Sequence, residues 1–102
     1  MKRTKSMYMN PTVESRELAL YTANHHTEKY YKQIKSVVNA LKKHYKRGEY
    51  NTDRAIDAYY PIVCGAAKEY SKDFGGNFTV TERFNAAVEL EHDFFEEVEE
   101  EA

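Results

Sequence analysis

Apolar residues recur at helical spacing along most of this chain, and hardly anywhere do they alternate with polar ones as in a strand. Turning each residue by about 100° from Leu41 brings Tyr30, Ile34, Val37, Val38, Leu41 and Tyr45 within about 60° of one direction. Lys29, Lys32, Lys35, Lys42, Lys43, Lys46 and Arg47 fall in the opposite arc, so residues 27–47 predict an amphipathic helix with a basic back. Over residues 53–74, Ala55, Ile56, Tyr59, Ile62, Val63, Ala66, Tyr70 and Phe74 gather on one side, while Pro61 points away from it. Over residues 80–99, Phe84, Ala87, Val88, Phe95 and Val98 share a face.

The breakers fall between these segments. Gly48 follows the basic turn "LKKHYKR", a common way for a helix to stop. Asn51 or Thr52 can cap the next helix, with Asp53 in its first turn, and Gly75-Gly76 ends it. Thr79 and Glu82 then have the spacing of a capping box. The expected architecture is all-α: a three-helix, bundle-like single domain over residues 13–102, with a long basic first helix and an acidic C-terminal helix. Residues 1–12 read as a flexible basic arm and residues 96–102 as an acidic tail.

Extending the first helix backwards keeps Ala19, Leu20 and Ala23 in phase but sends Leu18 and Tyr21 towards its back. The phase drifts across "TANHH". We read the helix there as continuous or only kinked, since Asn and His are mediocre helix formers rather than breakers. In the alternative, Asn24 caps a new start. Leu18 and Tyr21 otherwise make a second apolar patch suited to a partner.

Charge changes this picture more than composition does. The first 50 residues carry 11 Lys/Arg against 4 Asp/Glu, and residues 51–102 carry 4 against 13, although the net charge is only -2. Such asymmetry marks either a nucleic-acid surface beside an acidic tail or two halves of one domain drawn together. The mean hydropathy of -0.83 is low. With no Trp, the core must lean on nine Tyr and five Phe. No run reaches the roughly 18 apolar residues of a membrane span, and "MKRTKSMYMNP" lacks the apolar stretch of a secretory signal. The single Cys64 fits a reducing, cytoplasmic setting and reads as a small apolar residue. Gly65 beside it offers room for close approach by another helix or chain.

Candidate chemistry is sparse. His25 and His26 point about 100° apart on a helix, which does not suit a shared ion. His26 and His44 share a direction but lie about 27 Å apart along it. Glu89 and His92 form a Glu-x-x-His pair, yet di-iron carboxylate bundles use two copies and two further glutamates. No Ser-His-Asp arrangement, phosphate-binding Gly loop or nucleotide fingerprint occurs in the sequence. We therefore assign no catalytic residue, cofactor or metal. Glu91 is more informative, because it falls in the apolar stripe among Phe84, Val88, Phe95 and Val98. A carboxylate there finds a partner or stays protonated, and it reads as a buried polar tie to a Tyr hydroxyl, His26, His44 or a lysine.

Residues 17–75 resemble a group of small, uncharacterised proteins of tailed bacteriophages. The resemblance rests on Leu20-Tyr21 followed by Asn24, on "VVNAL", on "KRGEYN" and on "AAKEYSKDFG". Where the group has an Asn-Asp-Gly-like stretch, this chain has Asn24-His25-His26. The resemblance implies a phage-type origin and action in a bacterial cytoplasm, and it carries no activity.

The expected function is that of an accessory protein working through protein–protein contacts, with a host or phage protein or a second copy as partner. Leu18, Tyr21, Tyr50, Tyr59 and Tyr60 are the candidate interface residues. The alternative is weakly specific nucleic-acid binding through Lys32, Lys35, Lys42, Lys43, Lys46 and Arg47. Against it, Lys outnumbers Arg on that arc six to one, and the aromatic residues face the other way.

Overall fold

The computed structural model describes residues 13–23 and 28–100. They form four helices in the order α1 (Val13–Ala23), α2 (Glu28–Lys46), α3 (Thr52–Phe74) and α4 (Val80–Glu100). The predicted arm 1–12, the His25-His26 pair and Glu101 lie outside the described residues.

All-α architecture is observed, but with four helices where the hydrophobic period predicts three. The helix with the lysine back is the second, not the first. The expected long first helix is divided: α1 ends at Ala23 and α2 begins at Glu28. The apparent loss of phase has a simple cause. Ser15, Leu18, Ala19 and Thr22 are the buried residues of α1, spaced i, i+3, i+4 and i+7 as one complete inner stripe. Two of the four are polar, and Leu20, 64% exposed, sits on the outside. Read by hydrophobicity alone, α1 therefore shows almost no contrast between its faces. The Thr22 hydroxyl enters the interior at little cost because it donates to the Leu18 carbonyl at 2.7 Å.

The remaining helices start and stop where local chemistry dictates. Beyond α2, the Gly48 and Glu49 N–H groups bond back to the carbonyls of Tyr45 and His44 at 3.0 and 2.8 Å. Gly48 takes φ 73°, a left-handed conformation that glycine adopts without strain. Asn51 caps α3 from an extended backbone, its Oδ1 accepting the Arg54 N–H at 3.0 Å. At the start of α4 the capping box closes both ways, with Thr79 N–H on Glu82 Oε1 at 2.8 Å and Glu82 N–H on Thr79 Oγ1 at 3.1 Å.

Helix α4 packs against all three others, and α3 packs against both α1 and α2. The inner faces contribute Tyr30, Ile34, Val38 and Leu41 from α2, and Ala55, Ile56, Tyr59, Ile62, Val63, Ala66 and Ala67 from α3. From α4 come Asn85, Ala86, Ala87, Leu90, Glu91 and Val98. Of the predicted stripe only Ala87 and Val98 are buried while Phe84, Val88 and Phe95 are half-buried, because packing against α1 turns the inner face of α4 to one side. The α3 stripe does not stay buried to its end, and Phe74 is 68% exposed.

Gly65 is a place of close approach within the domain. A Cβ built there would meet Tyr30 Cε1 at 3.3 Å, and the Tyr30 hydroxyl donates to the Gly65 carbonyl at 3.2 Å. Burial first, and then the neighbouring Glu69 carboxylate, pushes the Tyr30 phenol up to about 12.

Two outcomes follow for this contact. Gly65→Ala changes stability little in urea denaturation, since about 1 kcal/mol of helix propensity offsets mild crowding of the Tyr30 ring. Gly65→Leu instead destabilises by about 1–3 kcal/mol through overpacking. In the second test, unfolding free energy is followed with rising pH. The native phenol keeps its proton in a range where the unfolded one loses it, so native Tyr30 stabilises fully below pH 10. That contribution is lost between pH 10 and about 12. The decline over this window is shallower in Tyr30→Phe than in the wild type.

Candidate interaction surface

The five predicted anchors separate into buried and partly exposed residues. Leu18, Tyr50 and Tyr59 are 0%, 4% and 1% exposed and belong to the core, so they present nothing to a partner. Their burial has a common physical reason: without Trp, a small helical core is filled by Tyr and Leu, including those that flank connections. Tyr59 lies so deep that burial raises its phenol far above the ordinary range. Tyr60 is half-buried and stacks on Phe84, the centroids 4.1 Å apart and the planes 15° from parallel. Tyr21, also half-buried, packs edge-on against Tyr70 at 5.2 Å and Phe74 at 6.4 Å.

That last contact opens onto a surface which periodicity placed in the interior. Phe74, at the end of α3, lies 4.8 Å from the Tyr70 ring, and Tyr70 lies 5.1 Å from Phe78. Tyr21, Tyr70, Phe74 and Phe78 thus form one aromatic cluster across α1, the last turns of α3 and the connection to α4. Val80, 53% exposed, follows that connection. The cluster's hydroxyls are tied to acidic groups. Tyr70 donates to Glu17 at 3.2 Å, and its phenol is raised by burial and then by that carboxylate. The Tyr21 phenol is raised by burial and then by Asp73 and Glu69. The rings are therefore neutral and held in place from several sides.

The basic face is largely matched within the domain at its N-terminal end. Lys29 lies 3.9 Å from Glu69 and Lys32 lies 3.4 Å from Glu28, while Lys35 pairs with Glu97 of α4. Lys42 is half-buried and also engaged. Lys43, Lys46 and Arg47 remain exposed at the end of α2, with no ion-pair partner among the described residues. Further acidic groups of α4 are engaged too: Glu89 lies 3.6 Å from Arg16, and Glu99 accepts from Tyr45 at 3.3 Å. Asp93 has its carboxyl raised by burial and then by Glu89, against the opposing pull of His92 and Arg16.

Glu91 is 1% exposed and accepts a hydrogen bond from the Tyr50 hydroxyl at 2.7 Å. Of the partners open to it in sequence, His44 is exposed on α2 and His26 lies outside the described residues. Tyr50 is thus a candidate anchor that faces inward. His92 is exposed, and among the described residues no group of three His, Cys, Asp or Glu is placed to hold a metal ion. No described helix is long and apolar enough to cross a membrane.

Comparison of the chain with protein-family models, with curated protein sequences and with solved structures finds no match.

Proposed function

We propose that this chain is a small accessory protein that acts by binding another protein, through the surface around Phe74. The observation that carries this reading is the cluster of Tyr21, Tyr70, Phe74 and Phe78, whose outermost ring is 68% exposed yet fixed by its neighbours. Rigid aromatic side chains at the surface are the usual anchors of protein interfaces, because they contribute large apolar area at low entropic cost. The resemblance of residues 17–75 to small bacteriophage proteins supports a bacterial cytoplasm as the setting. A second copy of the chain and a host or phage protein are the partners this surface suits.

The alternative is nucleic-acid binding, and one observation favours it: Lys43, Lys46 and Arg47 form an exposed basic group at the end of α2. Against it, Lys29, Lys32 and Lys35 already face carboxylates of the same chain. Exposed pairs of this kind are worth less than about 1 kcal/mol each, but they lower the local charge that a phosphate backbone would meet.

A salt titration combined with position-specific cross-linking separates the two readings. Binding to random duplex, single-stranded DNA and RNA is measured from about 50 to about 200 mM salt. In parallel, a photo-crosslinking amino acid replaces Phe74 or Lys43 in bacterial cells. The proposal expects no saturable nucleic-acid binding and a discrete protein adduct, or a chain dimer, from position 74 alone. Tight binding at low salt with a steep salt slope, together with nucleic-acid adducts from position 43, would overturn it.

A further inference from the structure

The C-terminal half of α3, the connection after it and the start of α4 border an open pocket of about 660 Å³. Pockets for small molecules commonly have volumes of about 300–1,000 Å³. Cys64, Ala67, Lys68 and Ser71 line it from α3 at helical spacing, Asn77 and Phe78 from the connection, and Arg83 from the first turns of α4. The pocket shares Phe78 with the aromatic cluster above, and its other lining residues take no part in the protein-contact reading.

Its two cations, Arg83 and Lys68, like Lys43, Lys46 and Arg47, have no ion-pair partner among the described residues. Arg83 differs from the others in being half-buried. The acidic neighbour of Arg83 in sequence, Glu82, is committed to the Thr79 N–H in the capping box. Arg83 is nevertheless held firmly. Its Nη1 donates to the Phe78 carbonyl at 2.8 Å and its Nε to the Tyr60 hydroxyl at 3.5 Å. These bonds, with a further contact to the Cys64 thiol, orient the half-buried guanidinium, and of its five N–H donors some remain for another acceptor. Lys68 adds a second positive charge. Ser71 and Asn77 bring neutral groups able to donate, and Ala67 and Phe78 supply apolar wall.

We propose that this pocket is a binding site for a small organic anion, whose carboxylate or phosphoryl group is held between Arg83 and Lys68 and whose apolar body lies against Ala67 and Phe78. The anion supplies a counter-charge to the half-buried Arg83. The oriented guanidinium gives direction, since its planar fork matches a two-oxygen acceptor.

The test is an NMR titration of the ¹⁵N-labelled full chain with phenyl phosphate, benzoate, inorganic phosphate, and sodium chloride at matched ionic strength. Saturable amide shifts are expected at residues 67–71 and 77–83 with at least one of the two aromatic anions, and they tell a phosphoryl from a carboxylate ligand. The better aromatic anion should bind more tightly than inorganic phosphate. Lys68→Gln should weaken it about tenfold, the usual cost of losing a charged hydrogen-bonding partner. Arg83→Lys should weaken it as well, because the charge stays while the fork is lost. Lys68 is exposed, so its variant reports on binding even if changes at Arg83 disturb folding. The proposal is overturned if neither aromatic anion gives saturable shifts up to tens of millimolar. It is equally overturned if sodium chloride reproduces the shifts, if they appear equally at Lys43, Lys46 and Arg47, or if Lys68→Gln leaves affinity unchanged.

Discussion

A carboxylate set into an apolar helix face, Glu91, constrains how the four helices meet. Burying a carboxylate is costly unless hydrogen bonds replace the water it loses. Here the Tyr50 hydroxyl is directed at it from 2.7 Å. Tyr50 stands in the short connection between α2 and α3, so this bond ties that connection to the middle of α4. The connection is itself defined on both sides, by the left-handed turn at Gly48 and by the Asn51 cap. Around the bond, the rings of Tyr45, Tyr50 and Phe95 lie 5.2 to 6.1 Å apart and keep water from it. A shift of α4 along its axis would pull the carboxyl group away from the Tyr50 hydroxyl, so this contact favours one register of α4 against the α2–α3 connection.

Much of the charge asymmetry along the chain serves the same assembly. Lys35 of the basic helix pairs with Glu97 of the acidic one, and Arg16 of α1 reaches Glu89. These contacts are individually weak but agree in direction with the apolar packing. What they leave unmatched is informative. Towards the end of α3 far from Tyr50 lie an exposed aromatic ring, Phe74, and an open pocket that holds Arg83 and Lys68, the two joined by Phe78.

How much of this was legible in the sequence depended on which residues carried the signal. Helices α2, α3 and α4 were readable because Ile34, Val38, Leu41, Ile56, Val63 and Val98 mark their inner faces strongly, and because the caps at Asn51 and Thr79 follow simple hydrogen-bond logic. Helix α1 was hidden because Ser15 and Thr22 occupy inner positions while Leu20 faces out, which cancels the hydrophobic contrast. Leu18 and Tyr21 consequently looked like a patch for a partner, when Leu18 is covered by the chain itself. Glu91 was conspicuous as a charge on an apolar face, but nothing local singled out Tyr50 among nine tyrosines. The exposure of Phe74 was invisible to periodicity, since the residue stays in phase with the buried stripe of α3. The Arg83 pocket escaped notice because it joins residues from two helices and a loop, and none of them forms a motif in sequence.

The measurement closest to the central claim is a double-mutant cycle on the buried tie. Unfolding free energies are compared for the wild type, Tyr50→Phe, Glu91→Gln and the double variant by urea denaturation. If this bond holds α4 in register, each single change is destabilising and the two are coupled by about 1 kcal/mol, as for a buried hydrogen bond. Additive effects with no coupling would contradict the account and leave the register to apolar packing alone.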